Sequence, residues 1–199
     1  LNDLGWKLMN SNPDTSIILS EQALVILNEV KNLSEEKKQK FLANSLGNLG
    51  VYNRLKGDYA KALENHFAAL RIDEALNNKK GIAARLGNIG IVYMEQADYP
   101  KALDNYFRAL KMDEELGNKN RIAIWLGNIG NVYAEQFKKG KKSSPIGEDL
   151  GGAALDNYFR ALKMAEELGD KNRIAIWLGN IGSLYTATGK FAEAEEYLK

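Results

Sequence analysis

The sequence has no cysteine, only three prolines and one histidine among its 199 residues. Without cysteine, a disulfide scaffold, a thiolate metal site and a cysteine nucleophile are excluded. The longest stretch without a charge, residues 174–189, is too short and too polar to span a bilayer. The first ten residues lack the basic start and apolar core of a targeting peptide. We therefore predict a soluble chain without membrane insertion, and we favour the cytoplasm over the periplasm.

An excess of charge of either sign is also missing. The 27 Lys and Arg residues nearly balance the 26 Asp and Glu residues, which gives a formal net charge of +1. This balance argues against a dedicated binder of nucleic acid. With 45% hydrophobic and 27% charged residues, the composition is that of a folded chain and excludes a disordered tail.

An internal repeat is the strongest signal in the sequence. The tripeptide Leu-Gly-Asn begins at Leu46, Leu86, Leu126 and Leu178, with successive spacings of 40, 40 and 52 residues. The last spacing becomes 40 when an insertion of 12 residues within 137–152 is removed. We predict a single array whose units are 1–33 (partial), 46–85, 86–125, 126–177 with the insertion, and 178–199 (partial).

Each unit has the hydrophobic pattern of two helices. Leu86, Ile89, Gly90 and Tyr93 lie at i, i+3, i+4 and i+7, which places them on one helical stripe. A break at residues 96–98 separates this stripe from a second one. The pattern predicts a pair of amphipathic helices in every unit.

The ends of the second helices carry their own signals. Asp98 can cap the helix that follows it, and Pro100 falls in the first turn, where its missing N–H is harmless. Asn77, Gly117 and Gly169 are predicted to terminate the second helices in a left-handed conformation.

Glycine and alanine recur where the two helices of a unit would cross. A helical glycine costs on the order of 1 kcal/mol relative to alanine, so its repetition needs a reason, and close helix contact supplies one. The first helices carry Gly50, Gly90, Gly130 and Gly182, and the second helices carry Ala62, Ala102, Ala154 and Ala194.

Glycine in the first helix, tyrosine three residues later, Asp-Tyr at the break and the paired alanines together resemble the tetratricopeptide repeat. The resemblance covers nearly the whole chain. The 40-residue period and the asparagine of Leu-Gly-Asn are similar to the extended subclass of kinesin light chains and bacterial signalling proteins. The resemblance implies an all-α fold, a right-handed superhelical α-solenoid of antiparallel helix pairs. It also implies a non-catalytic module that binds a protein or peptide in a concave groove.

An asparagine ladder is the candidate binding site in that groove. Asn48, Asn88, Asn128 and Asn180 recur on the first helices, and an amide offers both donors and an acceptor to a peptide backbone. The glycine before each asparagine is predicted to leave room for the ligand. The competing interpretation is that the amides bond to neighbouring helices and stiffen the stack.

Four amides contribute too little to bind a ligand alone, so further anchors are predicted on the same inward region. Trp125 and Trp177 stand one residue before Leu-Gly-Asn, and packing between repeats is the alternative for both. The remaining candidates are charged or polar, and they are Arg85, Arg121, Arg173 and Asn131.

Catalytic chemistry has little support. His66 is alone and occupies the position of Tyr106 and Tyr158 in other units, so we predict that it packs in the core. The acidic clusters at 113–115 and 166–167 are predicted on solvated helix faces. We therefore expect no catalytic residue, no metal site, no cofactor and no enzymatic activity.

The insertion contains Lys138, Lys139, Lys141 and Lys142 but no interleaved aromatic residues. We interpret it as a flexible connector between two helices of one unit. The predicted partner is a protein or peptide, and a homo-oligomer formed through open ends of the array is a further option. An alternative function is a regulatory or sensory input segment of a larger signalling protein, such as a sensor kinase or nucleotide cyclase.

Overall fold

The computed structural model of the protein describes residues 13–30, 33–140 and 145–198. All regular structure in these ranges is helical. The predicted first helix within residues 1–12, and Lys141 and Lys142 of the insertion, lie outside the described residues. The helices are α1 (Pro13–Glu29), α2 (Glu35–Leu55), α3 (Tyr59–Ala75), α4 (Lys79–Glu95), α5 (Tyr99–Glu115), α6 (Lys119–Lys139), α7 (Pro145–Glu167), α8 (Lys171–Ala187) and α9 (Phe191–Tyr197).

The chain forms two compact units, one up to Ala97 and one from Asp98 onward. In the first unit, α1 packs on α2, α2 on α3 and α3 on α4, and α2 also contacts α4. In the second unit, α5 to α9 pack in the same sequential way, and α6 also contacts α8. This is the packing of an all-α helical repeat of the solenoid type, as the sequence predicts.

Side-chain caps start most of the helices. The side chains of Asp58, Asn78, Asn118 and Asp170 each accept a hydrogen bond from the backbone N–H three residues ahead. Asp98 does the same for α5, at 3.3 Å from the nitrogen of Lys101, and this confirms its predicted role.

Left-handed residues end the helices. Asn77, Gly117 and Gly169 have φ values of 51°, 65° and 67°, as predicted for the turns after the second helices. The turns after α2, α4 and α8 use Gly57, Ala97 and Gly189 in the same conformation, with φ between 58° and 79°. Ala97 is therefore the one alanine in a set of turns that glycine suits better.

We expect Ala97→Gly to raise the free energy of unfolding by about 1 kcal/mol, because an L side chain is strained in the left-handed region. Ala97 is exposed, so no packing is lost. The matched control is Gly57→Ala, where a methyl group would meet no atom within 4 Å and only the backbone is affected. Urea unfolding should show changes of opposite sign for the two variants, and changes of the same sign would contradict the account.

Glycine brings the two helices of a pair together, as predicted. A Cβ at Gly130 would lie 2.7 Å from the ring of Tyr158 and 3.3 Å from the backbone oxygen of Ala154, both on α7. At Gly50 the His66 ring fills the corresponding space. All four predicted alanines, Ala62, Ala102, Ala154 and Ala194, are buried.

The insertion corrects one prediction. The flexible connector expected within 137–152 is wrong for residues 137–139 and 145–152, because α6 continues to Lys139 and α7 begins at Pro145. The extra helical turn is held by Phe137, which is buried and lies about 3.5 Å from where a Cβ of Gly151 would be. An apolar contact of this kind stabilises helical residues that sequence composition alone assigns to a loop.

Candidate peptide-binding surface

The four asparagines of the predicted ladder lie on the first helices α2, α4, α6 and α8, and all four are half-buried. In the described structure, the side-chain amides of Asn48, Asn88 and Asn128 form no hydrogen bond. Asn180 donates to the Oδ1 atom of Asn131 at 3.3 Å. Three of the four amides thus have their full donor and acceptor capacity available.

Other helical asparagines behave differently. Asn53, Asn65, Asn105 and Asn157 each donate their Nδ2 hydrogen to the backbone carbonyl four residues earlier, at 2.8 to 2.9 Å. This local bond is the usual outcome for asparagine in a helix. The open amides of the ladder therefore depart from the behaviour of asparagine elsewhere in the same chain.

Asn131 is already occupied in the structure. Its Oδ1 atom accepts hydrogen bonds from the Tyr158 hydroxyl at 2.8 Å and from Asn180. Burial raises the pKa of the Tyr158 hydroxyl, so it remains a donor. Asn131 consequently links α6, α7 and α8 to one another and fixes the position of Asn180.

Arg85 is buried in the interior of the first unit. Its Nε atom lies 3.1 Å from the carboxylate of Asp73, and its Nη2 atom donates to Asn44 at 3.1 Å. Only 8% of the residue is exposed, so the guanidinium is part of the packing between α2, α3 and α4.

The second unit has a related arrangement around Asp113. This carboxylate accepts a hydrogen bond from the Trp125 indole at 2.7 Å and forms an ion pair with Arg121 at 3.1 Å. The Arg121 guanidinium also lies 5.5 Å from the centre of the Trp125 ring. The predicted placement of Asp113 on a solvated face is therefore wrong, because the carboxylate is fully buried between α5 and α6.

The third copy of this arrangement lacks its carboxylate. Ala165 stands at the position of Asp73 and Asp113, twelve residues before Trp177, and the indole nitrogen of Trp177 is buried without a partner. Arg173 instead pairs with Asp170 at 3.3 Å and donates to Asn120. In this repeat the arginine therefore pairs with the helix-capping Asp170, because no carboxylate stands at the buried position.

Both tryptophans pack between helices. Trp125 stacks on Tyr106 and Trp177 on Tyr158, with ring centres 6.3 and 6.1 Å apart. Each indole is more than nine-tenths buried, which supports the alternative of packing between repeats.

The free space predicted at the glycine before each ladder asparagine is occupied at two positions. A side chain at Gly47 would overlap the Arg85 guanidinium, and one at Gly127 would overlap the Trp177 ring. The prediction of free space is therefore wrong at these two glycines, because long side chains of the next first helix occupy it. Among the described residues, Gly179 keeps the space open.

His66 is fully buried on α3, and neither ring nitrogen has a hydrogen-bond partner among the described residues. Burial, together with the charges of Arg85 and Arg54, lowers the pKa of His66 to about 3. The imidazole is neutral and packs in the core, as predicted. The described residues also contain no group of acidic and histidine side chains that could hold a metal ion.

The buried carboxylates were the residues that sequence reasoning missed. Asp73 and Asp113 each lie twelve residues before a residue that follows the same repeat position, Arg85 or Trp125. A comparison of equivalent positions would have shown this spacing and the substitution at Ala165. Without that comparison, acidic residues near a helix end are predicted to be exposed to solvent.

Two family models, each described as a tetratricopeptide repeat, match residues 86–119 and 174–199. The chain contains tetratricopeptide repeats. Its matched segments include the Leu-Gly-Asn signature at Leu86 and Leu178. It accordingly belongs among protein-interaction modules, and its expected partners are proteins.

Solved structures of several proteins share this fold. BtubC (BKLC) from P. vanneervenii superposes with a TM-score of 0.77 at 20% identity, over 99% of this chain and 74% of that one. Aspartyl phosphate phosphatase F from Bacillus subtilis gives 0.74 at 13% identity, over 99% of this chain and 56% of that one. TPR-like repeats described as kinesin light chain, from P. anserina, give 0.72 at 13%, over 99% and 89%.

These identities are low, so the structures establish a shared fold and nothing about a shared ligand. No curated protein matches the sequence. In the described part of the chain, every helix is too short or too polar to cross a membrane.

Proposed function

We propose that this tetratricopeptide-repeat protein binds extended polypeptide along the first helices of each unit, with Asn48 and Asn88 in the first unit and Asn128 and Asn180 in the second contacting the peptide main chain. The observation that carries the proposal is the set of open amides. A half-buried asparagine without an internal partner presents a donor and an acceptor at a surface, which matches the groups of a peptide unit.

The second unit offers the most detailed arrangement. Asn128 on α6 is open, and Asn180 on α8 is held by Asn131 through its donor, so its carbonyl oxygen remains an acceptor. The helices lie side by side, because Arg173 reaches Asn120 near their starts and Asn180 reaches Asn131 farther along. The two amides therefore face neighbouring peptide groups of a ligand that crosses both helices.

Amides alone do not account for binding. At about 0.5 to 1.5 kcal/mol each, the two amides of one unit contribute about 1 to 3 kcal/mol, while association costs about 4 to 15 kcal/mol. Apolar anchors are present one turn before the amides, at Ile124 and Ile176, and Ile176 is 52% exposed. These isoleucines take the anchoring role that the sequence predicted for tryptophan.

The remaining predicted contact residues differ in how far their side chains are exposed to solvent. Arg121 and Arg173 keep about a quarter of their side chains exposed and can favour an acidic residue of the ligand. Arg85, Asn131, Trp125 and Trp177 act in this proposal by positioning the first helices. The absence of catalysis, the exclusion of nucleic acid, self-association and the alternative of a signalling input segment stay predictions from sequence.

The test is the double variant Asn128→Ala with Asn180→Ala. Peptides selected from a random display library against the protein supply the ligand, and calorimetric titration supplies the affinity. We expect the variant to weaken binding by about 1 to 3 kcal/mol through lost hydrogen bonds, with unchanged helicity by circular dichroism.

The matched control is Asn105→Ala with Asn157→Ala, since these amides bond only to their own helices. It should leave the affinity unchanged. If the Asn128 and Asn180 variant instead melts earlier and binds as tightly as the parent, the amides are structural and the proposal fails.

A further inference from the structure

A tryptophan of the second unit binds a buried carboxylate of its own chain. The Trp125 indole N–H donates to the Oδ2 atom of Asp113 at 2.7 Å, and the Nε atom of Arg121 lies 3.1 Å from the same oxygen. The carboxylate is fully buried, whereas the Arg121 side chain is 22% exposed. The arginine therefore connects this internal carboxylate with the solvent.

The next copy of this arrangement keeps both donors without the carboxylate. Trp177 and Arg173 are the equivalent donors, and Ala165 stands at the equivalent of Asp113. Ala165 and Trp177 are both more than nine-tenths buried, and no described residue accepts a hydrogen bond from the Trp177 indole N–H. Buried donors in folded proteins almost always have a partner, so this exception needs an explanation.

The Trp177 ring keeps the pose of its counterpart although the carboxylate is missing. Each tryptophan stacks on the tyrosine of the preceding second helix, with ring centres 6.3 Å apart and planes at 23° for Trp125, and 6.1 Å and 22° for Trp177. The indole N–H of Trp177 is therefore directed towards Ala165, as that of Trp125 is directed towards Asp113. The chemistry that completes the third copy is consequently that of a carboxylate.

Arg173 lies on the solvent side of this position and has only exposed or partly exposed partners. Its guanidinium pairs with Asp170 at 3.3 Å and donates to Asn120 at 3.2 Å. The side chains of Arg173 and Asp170 are 26% and 29% exposed, and ion pairs at such exposure contribute little to stability. An incoming anion can therefore take the guanidinium from Asp170 at little cost.

We propose that Trp177 and Arg173 bind a carboxylate group of a ligand, at the position that the Asp113 side chain has in the preceding copy. The indole donates a hydrogen bond to one oxygen, and the guanidinium supplies the opposite charge. Ala165 is shorter than aspartate by one carboxylate group, so formate has the matching size. The site lies between α7 and α8 and uses none of the ladder amides, so this proposal and the proposed function stand or fall independently.

The test follows the indole ¹⁵N–¹H signals of the intact protein by NMR during a titration with sodium formate, with the ionic strength held constant by sodium chloride. We expect the Trp177 proton signal to move downfield and to saturate, because its N–H gains a hydrogen bond. The Trp125 signal should stay in place, since its N–H is already bonded to Asp113. Formamide, which is similar in size and uncharged, should bind at least about tenfold more weakly, because the charge-assisted bond is lost.

Two variants identify the residues that hold the anion. Ala165→Asp supplies the carboxylate from the chain itself, so the Trp177 signal should lie downfield without formate and should no longer respond to it. Arg173→Gln should weaken formate binding at least about tenfold, and it keeps the test valid if Ala165→Asp does not fold. The matched control is Lys171→Gln, an exposed cation at the start of the same helix, which should bind formate like the parent protein.

A free anion and an acidic side chain of a bound polypeptide share this chemistry, and a second titration separates them. N-acetyl-aspartate N-methylamide carries the carboxylate on a peptide unit. If it moves the Trp177 signal at concentrations similar to those of formate, the site takes an acidic residue of a polypeptide; if only formate does so, the ligand is a free small anion. A Trp177 signal that neither compound moves, or an equal response to formate in the Arg173→Gln protein, would overturn the proposal.

Discussion

Lowering the pH from 7 to 4 is expected to reduce the free energy of unfolding by about 3 kcal/mol through His66 alone. The histidine is the only one in the chain, and its ring is fully buried on α3 against Gly50. Burial, together with the charges of Arg85 and Arg54, lowers its pKa in the folded protein to about 3, from an ordinary value of 6.5.

The direction of this pH effect follows from which state of the chain, folded or unfolded, binds the proton. Below pH 6.5 the unfolded chain binds a proton on His66 and the folded chain does not, so acid favours unfolding. Above about pH 6.5 the histidine is neutral in both states and leaves the free energy of unfolding unchanged. Below that pH the free energy of unfolding falls progressively as the pH drops towards 3. Between pH 6.5 and 5 most carboxylates remain ionised, so this interval isolates the histidine.

Urea unfolding at a series of pH values measures the effect. The control is His66→Phe, which keeps a ring over Gly50 and has no group that titrates in this interval. Its free energy of unfolding should be nearly constant from pH 7 to 5, while that of the parent falls. Parallel pH profiles for the two proteins would show that His66 is not buried as a neutral ring.

Removing the buried carboxylate is expected to have a similar effect. Asp113→Ala should lower the free energy of unfolding by about 3 kcal/mol, because it leaves the Trp125 indole N–H and the Arg121 guanidinium without their common partner. Arg121 is partly exposed and regains some hydration, which keeps the loss at the lower end for a broken buried pair.

Glu114→Ala is the matched control. Glu114 is the next residue of the same helix, its side chain is about half exposed, and its ion pair with Arg160 is long at 3.9 Å. Its removal should change the free energy of unfolding by less than about 0.5 kcal/mol. Thermal unfolding compares the two variants directly, and equal losses would contradict the role assigned to Asp113.

Much of the fold was predictable because it repeats. The Leu-Gly-Asn tripeptide marks the first helix of each unit, and the glycine two residues after its asparagine admits the second helix. Asn77, Gly117 and Gly169 indicated the helix ends through their tolerance of the left-handed conformation. Four copies of the same local pattern leave few alternatives for the architecture.

The side chains around the site were harder to predict. Arginine and tryptophan are residue types that often contact ligands, so Arg85 and Trp125 were predicted to do so. In the sequence, only the spacing of twelve residues from Asp73 to Arg85 and from Asp113 to Trp125 indicates their internal partners. Hydrophobic periodicity reports which face of a helix is buried, but it does not identify a buried charge that is paired across two helices.

The insertion shows a similar limit. Its lysines, serines and glycines predict a loop by composition, whereas the helical extension depends on one apolar contact of Phe137 on α6 with Gly151 on α7. A contact between residues from opposite ends of an insertion is tertiary information. Sequence reasoning therefore located the insertion and misjudged its conformation.

The central claim is that the ladder amides bind a peptide main chain, and side-chain amide NMR tests it most directly. When a library-selected peptide saturates the protein, the ¹⁵N–¹H signals of Asn128 and Asn180 should shift. Those of Asn105 and Asn157, which are bonded to their own helices, should stay in place. Saturated binding that leaves the Asn128 and Asn180 signals unmoved would contradict the account.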